Sequence, residues 1–171
     1  MPQLGLRYGT VTVADHDPSW LVTGSAYAAD VAALLGGLTG GVEHIGSTSV
    51  PGLAAKPVID LAVRQGPGVP FDPARDALTG AGYIYRGDAG PDGGQVFVKE
   101  SEAWVRIIHL HVVAADDPQW SRYLAVRDRL RADPDAVTRY STLKRDLAAR
   151  HADDRRAYTR AKTDFIQDLL R

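Results

Sequence analysis

Four Asp-Pro pairs punctuate the chain. Asp17-Pro18, Asp72-Pro73, Asp117-Pro118 and Asp133-Pro134 each stand before an amphipathic stretch. A helix leaves its first backbone N–H groups unpaired. An Asp just before it accepts hydrogen bonds from them, and a Pro at its first position has no N–H to leave unpaired. The pairs therefore predict helices over 18–36, 73–80, 118–132 and 134–151. A fifth helix is expected over 153–170, with Tyr158, Ala161, Phe165 and Leu169 along one face. This spacing makes the C-terminal third dense in helix.

Strands fill the middle of the chain. Val58 to Val63 is a short apolar run that reads as a buried strand, and Val42 to Ile45 is a weaker one. Tyr83 to Arg86 and Gln95 to Glu100 flank a Gly-rich connection, Gly87 to Gly94, expected as a mobile hairpin loop. Trp104 to Val113 carries the strongest strand pattern. Alternation puts Val105, Ile107, His109, His111 and Val113 on one face and Trp104, Arg106, Ile108, Leu110 and Val112 on the other. The expected fold is α+β: a mixed β-sheet with packed helices and a helical C-terminal third. One domain over 1–171 is expected, with a sheet-containing core over about 10–115 and a helical bundle over about 117–171.

Composition excludes several classes of function. Without cysteine there are no disulfides, zinc–thiolate sites or thiol nucleophiles. No apolar run approaches the ~20 residues that a membrane helix needs. The first residues, Met1 to Arg7, lack the pattern of a secretory signal, so a cytoplasmic location is expected. A net charge of −1 argues against general nucleic-acid binding. The charge is nonetheless graded along the chain. Residues 1–62 hold Arg7 and Lys56 against five acids, whereas residues 116–171 hold thirteen basic and ten acidic side chains.

The chemistry concentrates between Glu43 and Asp60 and around His109. Gly46 permits close backbone approach, and Ser47, Thr48 and Ser49 can donate hydrogen bonds. A helix beginning there would offer N–H groups to an anion, and Lys56 could neutralise phosphate. An ordinary polar loop is the bland alternative. Asp60 stands in an apolar strand, where an unpaired carboxylate is costly, so it needs a partner or caps a loop. His109 and His111, two apart on a strand, point to one side within reach of a common metal or phosphate. They could equally be neutral core histidines. With Asp60 they would supply one carboxylate and two imidazoles, a set that suits a transition metal better than magnesium. Arg106 either anchors structure or reaches around a strand end.

The run His44-Ile45-Gly46-Ser47-Thr48-Ser49-Val50-Pro51-Gly52-Leu53-Ala54-Ala55-Lys56-Pro57-Val58-Ile59-Asp60 closely resembles the signature of the GrpB family (UPF0157). Further landmarks fit this family: Asp17-Pro18-Ser19-Trp20, Arg106, His109-Leu110-His111-Val112, Arg127-Asp128, Tyr140, Leu143-Lys144, Tyr158, Lys162 and Phe165-Ile166. The resemblance implies a fold similar to the nucleotidyltransferase superfamily, and a related domain is appended to some bacterial dephospho-CoA kinases. In that superfamily a Gly-Ser turn grips a nucleoside triphosphate, and an Asp-x-Asp pair with a third carboxylate binds metal. Gly46 and Ser47 match the turn, and Asp60 suits the second acid of the pair. The positions two before and two after it are Val58 and Ala62, so the pair is reduced to one.

The leading expectation is metal-dependent transfer of a nucleotidyl group to an unknown acceptor. Gly46, Ser47, Thr48, Ser49, Lys56 and Arg106 would bind the nucleotide. Asp60, His109 and His111 would hold Mg or Mn, or Zn, or one histidine would take the acceptor's proton. Arg127 and Lys144 would hold charge on the substrate. One alternative is a non-catalytic nucleotide or anion sensor that lost the acidic pair. Another is a metal-dependent hydrolase built on His109 and His111; a (β/α)₈ barrel is not expected for it, since such folds typically need ~250 residues. The expected partner is a small-molecule nucleotide, with no membrane and no general nucleic-acid partner.

Overall fold

The structure is a computed structural model and describes residues 4–90, 93–151 and 154–171. Six strands form one sheet: β1 (Leu6–Arg7), β2 (Thr39–Ile45), β3 (Ile59–Gln65), β4 (Ile84–Asp88), β5 (Gln95–Glu102) and β6 (Val105–Val113). Their order is β2-β3-β6-β5-β4, and β1 pairs antiparallel with the start of β6. The central pair, β3 with β6, is parallel, and the other pairs are antiparallel, so the sheet is mixed.

The helices are α1 (Ser19–Leu35), α2 (Phe71–Gly80), α3 (Pro118–Ala132), α4 (Pro134–Arg150), α5 (Arg155–Ala161) and α6 (Thr163–Leu170). Two of the four Asp-Pro pairs act as expected, and Asp17-Pro18 does so in part, with Pro18 just outside α1. Asp117 accepts from the Gln119 N–H and Asp133 from the Ala136 N–H, each with Pro at the first helical position. Asp17 accepts from the Ser19 N–H at 2.9 Å. Asp72 does not start its helix. α2 begins two residues before Pro73, which sits in the first turn, where a missing N–H costs nothing. Asp72 pairs instead with Arg75 at 2.8 Å. The single helix expected over 153–170 is two, broken at Lys162.

The strongest strand starts one residue later than its pattern implied. Trp104 has φ of 70° and forms part of the turn between β5 and β6. Along β6 the pairing steps from Ile108 to Arg106 while β5 advances only from Lys99 to Glu100. This extra residue is a bulge, which bends the strand and resets the direction of its side chains. The loop expected over 87–94 includes residues 91 and 92, which lie outside the described residues.

One face of the sheet carries the main core. Ile59, Leu61, Val63, Phe97, Ile108, Leu110 and Val112 pack there against Trp20, Val31 and Leu35 of α1 and against Ala74 and Leu78 of α2. The stretch Ser19–Leu38, 20 residues holding an 18-residue window of mean hydropathy 1.4, is long and apolar enough to cross a membrane by length and composition. The expectation that no such run exists is therefore corrected. Alanines raise its average without forming a block of large side chains, and its bulky residues Trp20, Val31 and Leu35 face the sheet. The opposite face is covered by the C-terminal helices. There Val50 and Leu53 pack on Leu130, Ala136 and Tyr140, and Val11 packs with Leu147 and Tyr158.

Candidate active site

The parallel pairing of β3 with β6 sets Asp60 beside His109 and Ala62 beside His111. Alternation carries His111 onto the same face, and the two imidazole rings lie 4.7 Å apart. His109 Nδ1 is 3.5 Å from Asp60 Oδ1. One ligand atom from each of Asp60, His109 and His111 falls within 4.8 Å of the others, close enough for small rotations to converge on one ion. The place two residues after Asp60 holds only the methyl group of Ala62, and its neighbour across the ladder is an imidazole.

The donor set fits a divalent transition metal. His111 Nδ1 lies 2.8 Å from the Gly93 carbonyl oxygen and can bond it only by donating, which leaves Nε2 unprotonated and available as a ligand. Burial, with the charge of His109 next in importance, pushes His111 down from 6.5 to about 4. It is therefore neutral at pH 7, the form that binds a metal. Burial tends to raise the Asp60 carboxyl. The hydrogen bond and charge of His109, with His111 and Lys162, outweigh it and hold this carboxyl below the ordinary range.

Gly46 ends β2 with φ of 69°, a backbone conformation that disfavours a side chain. A Cβ there would stand 2.6 Å from Asp60 Oδ2, so the close approach of loop to carboxylate requires glycine. The expected helix after it is a single 3₁₀ turn over Ser47–Ser49. Its three hydroxyls differ in placement. Ser47 lines a cavity and accepts from Lys144 Nζ at 2.9 Å. Thr48 lines the same cavity, but its Oγ1 bonds His44 Nε2 at 2.9 Å. Ser49 is buried and its hydroxyl donates back to the Gly46 carbonyl.

This cavity, of about 200 Å³, is walled by Asp60 and His109 on the sheet and by four cations: Lys56, Arg106, Lys144 and Lys162. Asp60 is the one carboxylate among its described lining residues. Arg106 reaches it, despite its expected place on the opposite face, because the bulge in β6 breaks alternation between Arg106 and His109. Lys144 is 2 % exposed and also donates to the Ala54 carbonyl oxygen. Burial, reinforced by Lys162, depresses its ammonium well below the usual lysine range. The buried Tyr158 ring carries Lys56 Nζ at 4.2 Å and Lys162 Nζ at 4.6 Å from its centroid, so it holds two cations at the cavity wall.

Arg127 does not join them. It is bound to Glu43 Oε2 at 2.8 Å, to the His44 carbonyl and to Asp128, and it ties α3 to the end of β2. His44 points to the core face of the sheet. A Cβ on Gly24 of α1 would stand 2.2 Å from its ring, so helix and imidazole are in tight contact. Burial lowers His44 from 6.5 to about 4. Thr159 and Lys162 were absent from the candidates read from the residues themselves. Lys162 follows Tyr158 by four positions, the helical spacing that puts both on one face, and that signal was available.

The GrpB protein family profile matches residues 10–171. A UPF0157 protein of Pseudomonas aeruginosa is 39% identical over 166 residues, covering 94% of this chain, and this chain spans 66% of that relative's length. The crystal structure of the conserved protein GrpB from Enterococcus faecalis superposes with a TM-score of 0.78 at 36% identity, covering 92% of this chain and 94% of that one. The RNA terminal uridylyl transferase Cid1 shares the fold more distantly, with a TM-score of 0.52 at 14% identity over 81% of this chain and 44% of that one. Its α+β fold is similar to that of Cid1, and the chain belongs to the GrpB family.

Proposed function

We propose that the protein is a metal-dependent nucleotidyltransferase acting on a nucleoside triphosphate. The observation that carries this reading is a convergence. Asp60 and His109 line a small cavity whose other walls bring together Lys56, Arg106, Lys144 and Lys162, and a ligand atom of His111 lies within 4.8 Å of theirs. A cavity of about 200 Å³ with four cations and one carboxylate suits a chain of phosphates better than a neutral ligand. Ser47 and the cations would bind the phosphates and orient the α-phosphorus toward Asp60. A divalent ion held by Asp60, His109 and His111 would supply Lewis-acid stabilisation of charge on the transferred phosphoryl group.

The mixed carboxylate–imidazole set favours Mn²⁺ or Zn²⁺ over Mg²⁺. Titration calorimetry with nucleoside triphosphates and each metal tests this. Binding is expected with Mn²⁺ and to weaken by at least about 100-fold in Asp60→Ala, the order seen when a metal site loses a ligand or its support. No heat with any nucleotide, or equal affinity in Asp60→Ala, would overturn it. The lost acidic pair, with Val58 and Ala62 two before and two after Asp60, favours a second reading, a sensor that binds nucleotide without turnover. Label transferred from the α-phosphate to any acceptor, and lost in Asp60→Ala, separates the two.

A further inference from the structure

A second cavity, of about 410 Å³, opens beside Asp60 at the His111 end of the sheet. It shares Asp60, Thr159 and Lys162 with the first cavity, so these three residues form the partition between them. Its character is different. Ile45, Val126, Ile166 and the rings of Tyr123 and Tyr140 supply its apolar wall, beside the polar side chains of Gln119, Arg122 and Thr163. The Tyr140 ring is backed by Phe165, stacked at 4.4 Å with an interplanar angle of 6°, which stiffens that side.

We propose that this second cavity is the acceptor chamber, taking one small hydroxyl-bearing molecule with a flat or apolar body. The inference rests on the nucleotidyl-transfer reading above and deepens it by naming the acceptor class. Phosphoryl displacement is in line: the attacking oxygen and the leaving group lie on opposite sides of the phosphorus. With the leaving pyrophosphate among the cations of the first cavity and the α-phosphorus at Asp60, the attacking oxygen must come from the far side. The chamber on that side is this one. The acceptor oxygen forms a bond to the α-phosphorus, and the bond from that phosphorus to the bridging oxygen breaks. Pyrophosphate departs with the bonding pair, and the hydroxyl proton leaves to water. A volume near the lower end of the small-ligand range, with aromatic and aliphatic walls, suits a small molecule over a nucleic-acid strand.

The test uses the full chain with Mn²⁺ and a nucleoside triphosphate labelled at the α-phosphate. Probe acceptors are nucleosides, aromatic alcohols and hydroxy acids and, separately, an oligoribonucleotide with a free terminal hydroxyl. A labelled small-molecule adduct is expected. Val126→Trp and Ile166→Trp, on different helices, should each fill the chamber and cut its formation by at least about tenfold, with affinity for a non-hydrolysable triphosphate kept within about twofold. Saturation-transfer NMR of the same small probes, on protein free of nucleotide and metal, reads the chamber independently. Its signal should disappear in both variants. Thermal melts by circular dichroism show that each variant is folded. Parental transfer rates in both folded variants, label on the oligoribonucleotide alone, or no NMR contact with any small probe would overturn the proposal. Absence of nucleotide binding in the parent protein, with NMR contacts retained, removes the first-cavity reading and the acceptor assignment together.

Discussion

The two faces of the central sheet bury side chains for different reasons. On the α1–α2 face, Ile59, Leu61, Phe97, Ile108 and Leu110 are all fully buried, and burial of apolar area supplies the stabilisation. On the α3–α6 face, Lys144 and Tyr158 are as deeply buried, yet the groups around them are charged. Two histidines make the contrast sharp. His44 and His111 are both pushed down to about 4 by burial. His44 is closed in by α1 and spends Nε2 on Thr48. His111 is held by one nitrogen to Gly93 and lines a cavity. An equal depression does not imply equal use; which nitrogen is left available does.

Three experiments probe the contrast. The largest effect belongs to the core face. Phe97→Ala should cost about 3–5 kcal/mol in chemical denaturation, the range for deleting a fully buried aromatic ring. Nucleotide affinity of the folded fraction should be unchanged; a large loss of affinity would mean that the two faces are coupled.

The next is pH dependence. Both histidines are neutral in the folded chain and take up protons in the unfolded chain below about 6.5. Their contribution is therefore fully present above pH 6.5 and is lost as pH falls toward about 4, on the order of a few kcal/mol in all. His44→Gln should flatten part of this dependence in denaturation measured across that range. An unchanged slope would show that His44 does not titrate as its burial implies.

The smallest effect on folding is expected at the buried lysine. Lys144→Met keeps the apolar stem and removes the charge. Stability should change by no more than about 2 kcal/mol, since the lost desolvation penalty offsets the lost hydrogen bonds to Ser47 and Ala54. Affinity for inorganic pyrophosphate should fall at least about tenfold. Parental pyrophosphate affinity would remove Lys144 from the site.

Much of the fold was legible because its signals are local. Asp117 and Asp133 cap the next helix from two or three residues away, and β6 announces itself by alternation within one strand. The failures have the same root. Asp72 has the same neighbour as the other three caps, but Pro70 and the packing of Phe71 draw the helix start upstream. Arg106 was assigned a face by counting, and a bulge created by pairing with β5 changed it. Arg127 looked like a substrate cation until Glu43, distant in sequence, claimed it.

The sequence by itself determined where α3 and α4 begin, which strand would carry two histidines on one side, and that Gly46, Ser47 and Asp60 belong to one motif. Those features depend on backbone geometry over a few residues, where side-chain identity decides. Only the tertiary structure decided that Asp60 stands against His109, and that Lys56, Lys144 and Lys162 close on the same cavity. Parallel pairing and helix packing join segments far apart in the chain, and no local periodicity encodes which partner each will meet.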